Sequence, residues 1–196
     1  MTFKNSPPAF YSRTSSGKYA LDVPEIGTLF AGSATALERI RLFTIERASK
    51  IVANQMPMPI PQIPKLVLHM VPFYATSKHT NIDLHQVSTR REWLNPLSAE
   101  AELGKFNFDG FVTYSKYNNR GNAEECPSYT QIFRDGAIEA IWTFPFQGYK
   151  EDKRIPSLAF EDELIDGIQY YLRKQEKLGV ATPIYLMVTL LGVEGL

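Results

Sequence analysis

Ser128-Tyr129-Thr130-Gln131-Ile132-Phe133-Arg134-Asp135-Gly136-Ala137-Ile138-Glu139-Ala140-Ile141-Trp142-Thr143-Phe144 is the stretch whose reading decides the fold. Two strand-like runs flank Asp135-Gly136, the dipeptide favoured in a two-residue primed turn because both central positions need positive φ. Pairing outward from that turn sets Arg134 opposite Ala137, Phe133 opposite Ile138, Gln131 opposite Ala140 and Tyr129 opposite Trp142. The large apolar groups then meet on one face. On the other face Ile132 opposes Glu139, with Arg134 diagonally within reach of the carboxylate.

Working outward, Phe106, Phe108, Val112 and Tyr114 alternate with Asn107, Asp109, Thr113 and Ser115, the pattern of one half-buried strand. Leu66 to Phe73 is almost continuously apolar and reads as an interior strand whose pairing ends at Pro72. The polar stretch from Ala75 to Gly104 holds Trp93 and Leu97 as anchors, with a short helix expected around Ser98 to Leu103. Downstream, Leu164, Ile168, Tyr171, Leu172 and Gln175 mark one side of a helix over Ser157 to Leu178. Acidic residues early and basic residues late complement its dipole. Gly179 suits its stop, and Pro183 opens a strand, Ile184 to Leu191, that reads as buried.

Toward the start, Phe10 to Arg13 and Lys18 to Leu21 alternate around Ser15-Ser16-Gly17 and predict a small hairpin. Ser33 is the expected N-cap of a helix running to about Asn54, with Leu37, Ile40, Thr44, Ala48 and Ile51 as its apolar stripe. Met56 to Pro64 cannot continue it, since proline lacks the N–H, and reads as a stiff polyproline spacer rather than a ligand for a proline-recognising domain. The expected fold is α+β: an antiparallel or mixed sheet of about five strands, near residues 65, 106, 128, 137 and 184, with the helices near 34 and 157 packed on it.

Composition bounds the function. With 21 basic and 21 acidic residues, no overall field draws the chain to nucleic acid or anionic lipid. Cys126 is the single cysteine, so no internal disulfide forms and a reducing, cytoplasmic setting fits. No apolar run reaches transmembrane length, and Met1 to Pro8 does not read as a signal peptide.

Few residues carry chemistry. His69, within Leu66-Val67-Leu68-His69-Met70-Val71, reads as a buried hydrogen-bonded imidazole before it reads as a base or ligand. His79 and His85 lack a recognised zinc spacing, and no cofactor or metal is expected. Asp109, Asp135 and Glu139 are the carboxylates in strand or turn positions that could converge, although Asp109 and Asp135 each precede a turn-type glycine. Cys126 stands beside Glu124 and Glu125, whose charges disfavour a thiolate. Lys116 to Arg120, with Tyr117, has the basic and aromatic mixture that stacks a base and holds a phosphate, and also reads as a polar loop. Arg39, Arg41, Arg47 and Lys50 read as a solvated helix face. Phosphate-loop, dinucleotide, nucleophile-elbow and zinc-protease motifs do not occur.

Several phrases in order resemble the C-terminal half of bacterial Schlafen AlbA-type proteins: Phe10-Tyr11-Ser12-Arg13, Ser16-Gly17-Lys18-Tyr19, Asp22-Val23 through Glu25, Glu38-Arg39-Ile40-Arg41, Lys65-Leu66-Val67-Leu68-His69 and Phe133-Arg134-Asp135-Gly136-Ala137-Ile138-Glu139. The resemblance implies that residues 1–30 are the end of an AlbA-type domain, 31–64 a helix and Pro-rich connector, and 65–196 an α+β C-terminal domain. It also implies that the family's nucleic-acid chemistry lies on an upstream part. The leading expectation is a non-catalytic accessory module of a prokaryotic nucleic-acid-associated regulator or defence protein, serving assembly or sensing through a protein partner or self-association, away from membranes. A metal-dependent hydrolase or nuclease using Asp109, Asp135, Glu139 and His69 is the alternative. Direct nucleic-acid contact through Arg13, Lys18, Lys116 and Arg120 is a further one.

Overall fold

In the computed structural model, residues 10–14, 17–76, 81–89, 94–115, 125–146 and 157–193 are described. The chain divides into two compact units, Met1–Arg39 and Ile40–Leu196.

In the first unit β1 (Tyr11–Thr14) and β2 (Gly17–Ala20) form the expected hairpin, with Tyr11 paired to Ala20 and Arg13 to Lys18. Helix α1 covers Val23–Val52, so it begins eleven residues before the predicted start. The cap is Asp22, not Ser33: the Glu25 N–H donates to Asp22 Oδ1 (2.7 Å) and the Asp22 N–H to Glu25 Oε2 (2.9 Å). This reciprocal box satisfies two donors that a helix start leaves free. Asn54, with φ of 58°, ends the helix; the Gln55 N–H reaches back to the Lys50 carbonyl at 2.8 Å, the pairing that closes a helix through a left-handed residue.

The second unit is built on one antiparallel sheet of six strands. They are β3 (Lys65–Pro72), β4 (Leu103–Phe106), β5 (Gly110–Tyr114), β6 (Ser128–Phe133), β7 (Ile138–Trp142) and β8 (Ile184–Leu191), in the spatial order β4-β5-β6-β7-β3-β8. The α+β class therefore holds, with a sixth strand. The extra strand arises because the run read as one strand from Phe106 to Ser115 folds back on itself. Asn107 Oδ1 accepts from the Gly110 N–H at 2.7 Å, a side-chain turn. A Cβ on Gly110 would collide with the Ile132 carbonyl, so the β5–β6 pairing itself requires glycine there.

The central hairpin forms one residue out of the expected register. Phe133 and Ala137 close a three-residue connection, with the Phe133 N–H donating to the Ala137 carbonyl at 2.8 Å. Within it only Gly136 has positive φ, 86°, as in a hairpin with one left-handed bulge residue rather than the two that a primed turn needs. Asp135 instead accepts the Ala137 N–H at 3.0 Å. The shift pairs Gln131 with Glu139, Ile132 with Ile138 and Tyr129 with Ile141. A slip of one residue moves every side chain to the other face, so Glu139 leaves Ile132 and Arg134 and joins Gln131 and Tyr129.

Both faces of the sheet are covered. Leu66, Leu68, Met70, Ile132, Ile138 and Trp142 pack with Tyr171, Leu164 and Ile168 of α3 (Ser157–Lys177). On the opposite face Val67, Val112, Tyr129 and Ile141 meet Ile51 near the end of α1 and Met58 and Ile60 of the proline-rich segment. The sequence of that segment predicts a spacer. It is instead part of the core, with alternate residues buried and the Pro59 carbonyl accepting from Cys126 at 2.9 Å. Fully burying each such aliphatic side chain contributes about 1.5–3 kcal/mol.

The helix expected at Ser98 to Leu103 does not form; a short helix, α2 (Leu84–Ser88), capped by Asp83, lies earlier. Strand β8 is an edge rather than an interior strand, and Leu186, Val188 and Leu190 stay exposed. Among the described residues, no helix is long and apolar enough to cross a membrane.

Candidate functional site

Position 139 of β7 has His69 beside it on β3 and Gln131 beside it on β6. Paired residues in adjacent strands point to the same face, so the register sets these three polar groups in a row across the middle of the sheet. Arg47 reaches the row from α1. Its Nε donates to Glu139 Oε2 (2.8 Å) and its Nη2 to Oε1 (2.7 Å). The Tyr129 hydroxyl donates to Oε1 at 2.8 Å, and His69 Nε2 lies 3.0 Å from Oε2. All four residues are buried, and Glu139 and His69 are completely so.

The surroundings set the charge states. Burial alone would push the Glu139 carboxyl up; the hydrogen bonds and charges of Arg47 and His69 outweigh it and bring the group down to about 2. Burial likewise opposes the Arg47 charge, and the Glu139 carboxylate overrides it and raises the guanidinium further. For Tyr129, burial and then the neighbouring carboxylate push the phenol well above its ordinary value. Rings complete the enclosure: Phe43 meets His69 edge-on at 5.7 Å, and the Arg47 guanidinium lies 5.2 Å from the Phe133 ring centre.

Arg47 is thus a buried residue, not part of a solvated face. A signal was present in the sequence: it stands seven residues after Ile40 and four before Ile51, on the stripe that faces the core. An arginine there implies a buried acid opposite it, and Glu139 is the one acid inside an apolar strand run.

Of the candidate acids, the structure joins two through this arginine. Asp109 Oδ2 lies 3.9 Å from Arg47 Nη1 and is about half exposed, at an open cleft of about 340 Å³ that Arg47, Gln55, Met56, Lys105 and Phe108 also line. Asp135 stays apart in its turn, where burial pushes its carboxyl up against the pull of two backbone hydrogen bonds. A second open cavity, about 510 Å³, lies between the Asn95–Glu100 loop and Glu163, Asp166 and Tyr170 of α3. Among the described residues, no group of three or more His, Cys, Asp or Glu is placed to hold a metal ion.

Cys126 is buried, and burial first, with a smaller contribution from Glu125, pushes its thiol up to about 12. Lys18 sits on the exposed hairpin with its Nζ 4.2 Å from the centre of the Tyr11 ring. Arg13 is its backbone partner. Lys116, Arg120, His79 and Trp93 lie outside the described residues.

Chemically, the Glu139 carboxylate is saturated, while His69 Nδ1 and Gln131 Nε2 beside it are buried without a hydrogen-bond partner among the described residues. Each Glu139 oxygen already meets two partners, and a carboxylate so stabilised is a weak base. No family model, no curated protein and no solved structure matches this chain.

Proposed function

We propose that this chain is a non-catalytic accessory module, serving assembly or partner sensing, of a cytoplasmic prokaryotic nucleic-acid-associated regulator or defence protein of Schlafen AlbA type. The family part of this reading is supported by the ordered phrases from Phe10-Tyr11-Ser12-Arg13 to Phe133 through Glu139. The non-catalytic part is supported by one observation above all: both oxygens of the fully buried Glu139 are occupied by Arg47, His69 and Tyr129, which leaves the carboxylate no free acceptor for a substrate. Groups arranged in this way fix one packing of helix on sheet.

Two assays on the whole chain test it. Incubation with single-stranded RNA and DNA in Mg²⁺ or Mn²⁺ is expected to give no cleavage, and an AlbA-type domain added in trans is expected to bind. Metal-dependent cleavage abolished by Asp109→Asn and Glu139→Gln would replace this reading with that of a nuclease. Binding of single strands that weakens as salt rises would instead assign the nucleic-acid contact to this chain, because phosphate contacts release counterions.

A further inference from the structure

We propose that β8 pairs edge to edge with β8 of a second copy of this chain, antiparallel, about a two-fold axis at Val188. This names the partner of the assembly role proposed above and rests on that reading.

The two edges of the six-stranded sheet are built differently. The β4 edge is four residues long and carries Lys105, both devices that discourage strand addition. The β8 edge is eight residues, Ile184-Tyr185-Leu186-Met187-Val188-Thr189-Leu190-Leu191, with neither a charge nor a proline. Its inner side is fully used: every residue from Ile184 to Leu191 is paired with β3. Among the described residues nothing pairs with its outer side. A long, flat, uncharged edge is a template for another strand.

Side chains single out a second copy as the occupant. Leu186, Val188 and Leu190 are 42%, 42% and 39% exposed. They stand beside Met70, Leu68 and Leu66, which are completely buried in the core on the α3 side. The apolar layer therefore runs off the covered part of the sheet onto an uncovered strand. The exposed face of that strand reads alike in both directions: an antiparallel mate centred at Val188 sets Leu186 against Leu190 and Val188 against Val188, while on the other face Met187 meets Thr189 and Tyr185 meets Leu191. Isologous pairing needs a surface that complements itself, and no like charges meet here. The paired edge, residues 185 to 191, is about 24 Å long, a small contact of the kind that weak, reversible complexes use.

The test is the association state of the whole chain by sedimentation velocity at micromolar concentrations. A reversible dimer is expected. Val188→Lys sets two like charges across the axis and is expected to weaken the dimer at least about tenfold. Because position 188 is partly exposed, the variant keeps the wild-type circular dichroism and melting temperature. Val188→Cys is expected to form an interchain disulfide on mild oxidation, since directly opposed strand residues have the separation that a disulfide spans. Leu190→Cys, which faces Leu186 of the other copy, is not. The double variant L186K/L190E, whose new charges meet their opposites twice, is expected to dimerise more tightly than L186K alone.

A monomeric wild-type chain, a dimer unaffected by Val188→Lys, or cross-linking at position 190 instead of 188 overturns the proposal. If the Val188→Lys monomer still binds an AlbA-type domain, the assembly reading stands without this dimer. If the dimer forms and no such domain binds, the dimer stands and that reading falls.

Discussion

Arg47 and Glu139 form two parallel hydrogen bonds, 2.8 and 2.7 Å, between a helix and the middle of a sheet 92 residues further along the chain. The rigid fork of the guanidinium matches the two oxygens of the carboxylate. The pair therefore fixes the rotation of α1 on that face as well as its position.

Removing one partner is expected to be costly. Arg47→Ala leaves a fully buried carboxylate without its counter-charge and should lower stability by about 3–5 kcal/mol. Replacing both residues by apolar ones of similar volume, as in R47M/E139L, should restore part of that loss, the remainder reflecting the buried Tyr129 hydroxyl and His69 Nε2 left without Glu139. Urea denaturation of the wild type, R47A, R47M, E139L and R47M/E139L measures both outcomes; additive losses in R47M and E139L would show that the pair is not coupled.

Acid should unfold the chain partly through Glu139. Its carboxyl falls from an ordinary 4.5 to about 2 in the fold. A depressed carboxyl stabilises the fold above the unfolded value, and that stability disappears as pH falls through the folded one. The corresponding loss lies between pH 4.5 and about 2, and stability rises with pH across that window because the unfolded chain binds the proton more readily. Glu139→Gln should flatten this part of the profile in denaturation curves taken at several pH values, while lowering stability near neutrality.

Cys126 should resist thiol reagents. Burial raises its thiol to about 12, and only a thiolate attacks. Labelling of the native chain by a disulfide reagent near pH 8 should be slow and should accelerate with denaturant in step with unfolding. Rapid stoichiometric labelling of folded protein would contradict the burial.

Gly110→Ala should destabilise by about 1–3 kcal/mol, the usual cost of overpacking, because the added Cβ meets the Ile132 carbonyl and the backbone must shift to admit it. Melting temperatures of G110A and wild type decide this; an unchanged value would mean that β5 and β6 are less closely apposed.

What could be read locally was read from short range. The hairpin around Asp135-Gly136, the interior run of β3, the helix α3 with basic residues in its last turn though no acid in its first, and the α+β class all follow from patterns within a few residues, because turns, caps and periodicity are local properties. Even the early start of α1 was written in Asp22-Val23-Pro24-Glu25, a capping box that Ser33 obscured. The register of the central hairpin was not, since Asp135-Gly136 serves a two-residue and a three-residue connection alike. The two differ by one residue, and that residue decides whether Glu139 faces Ile132 or Gln131 and His69. Tertiary structure chose between them, because only one choice gives the carboxylate a cation from α1 in place of water. The same contacts bury the proline-rich segment and leave β8 at an edge. By itself the sequence determined the two long helices and most of the strands, but not the turn that separates β4 from β5 or the short helix α2; which faces the elements share was settled by burial across distances that no local pattern records.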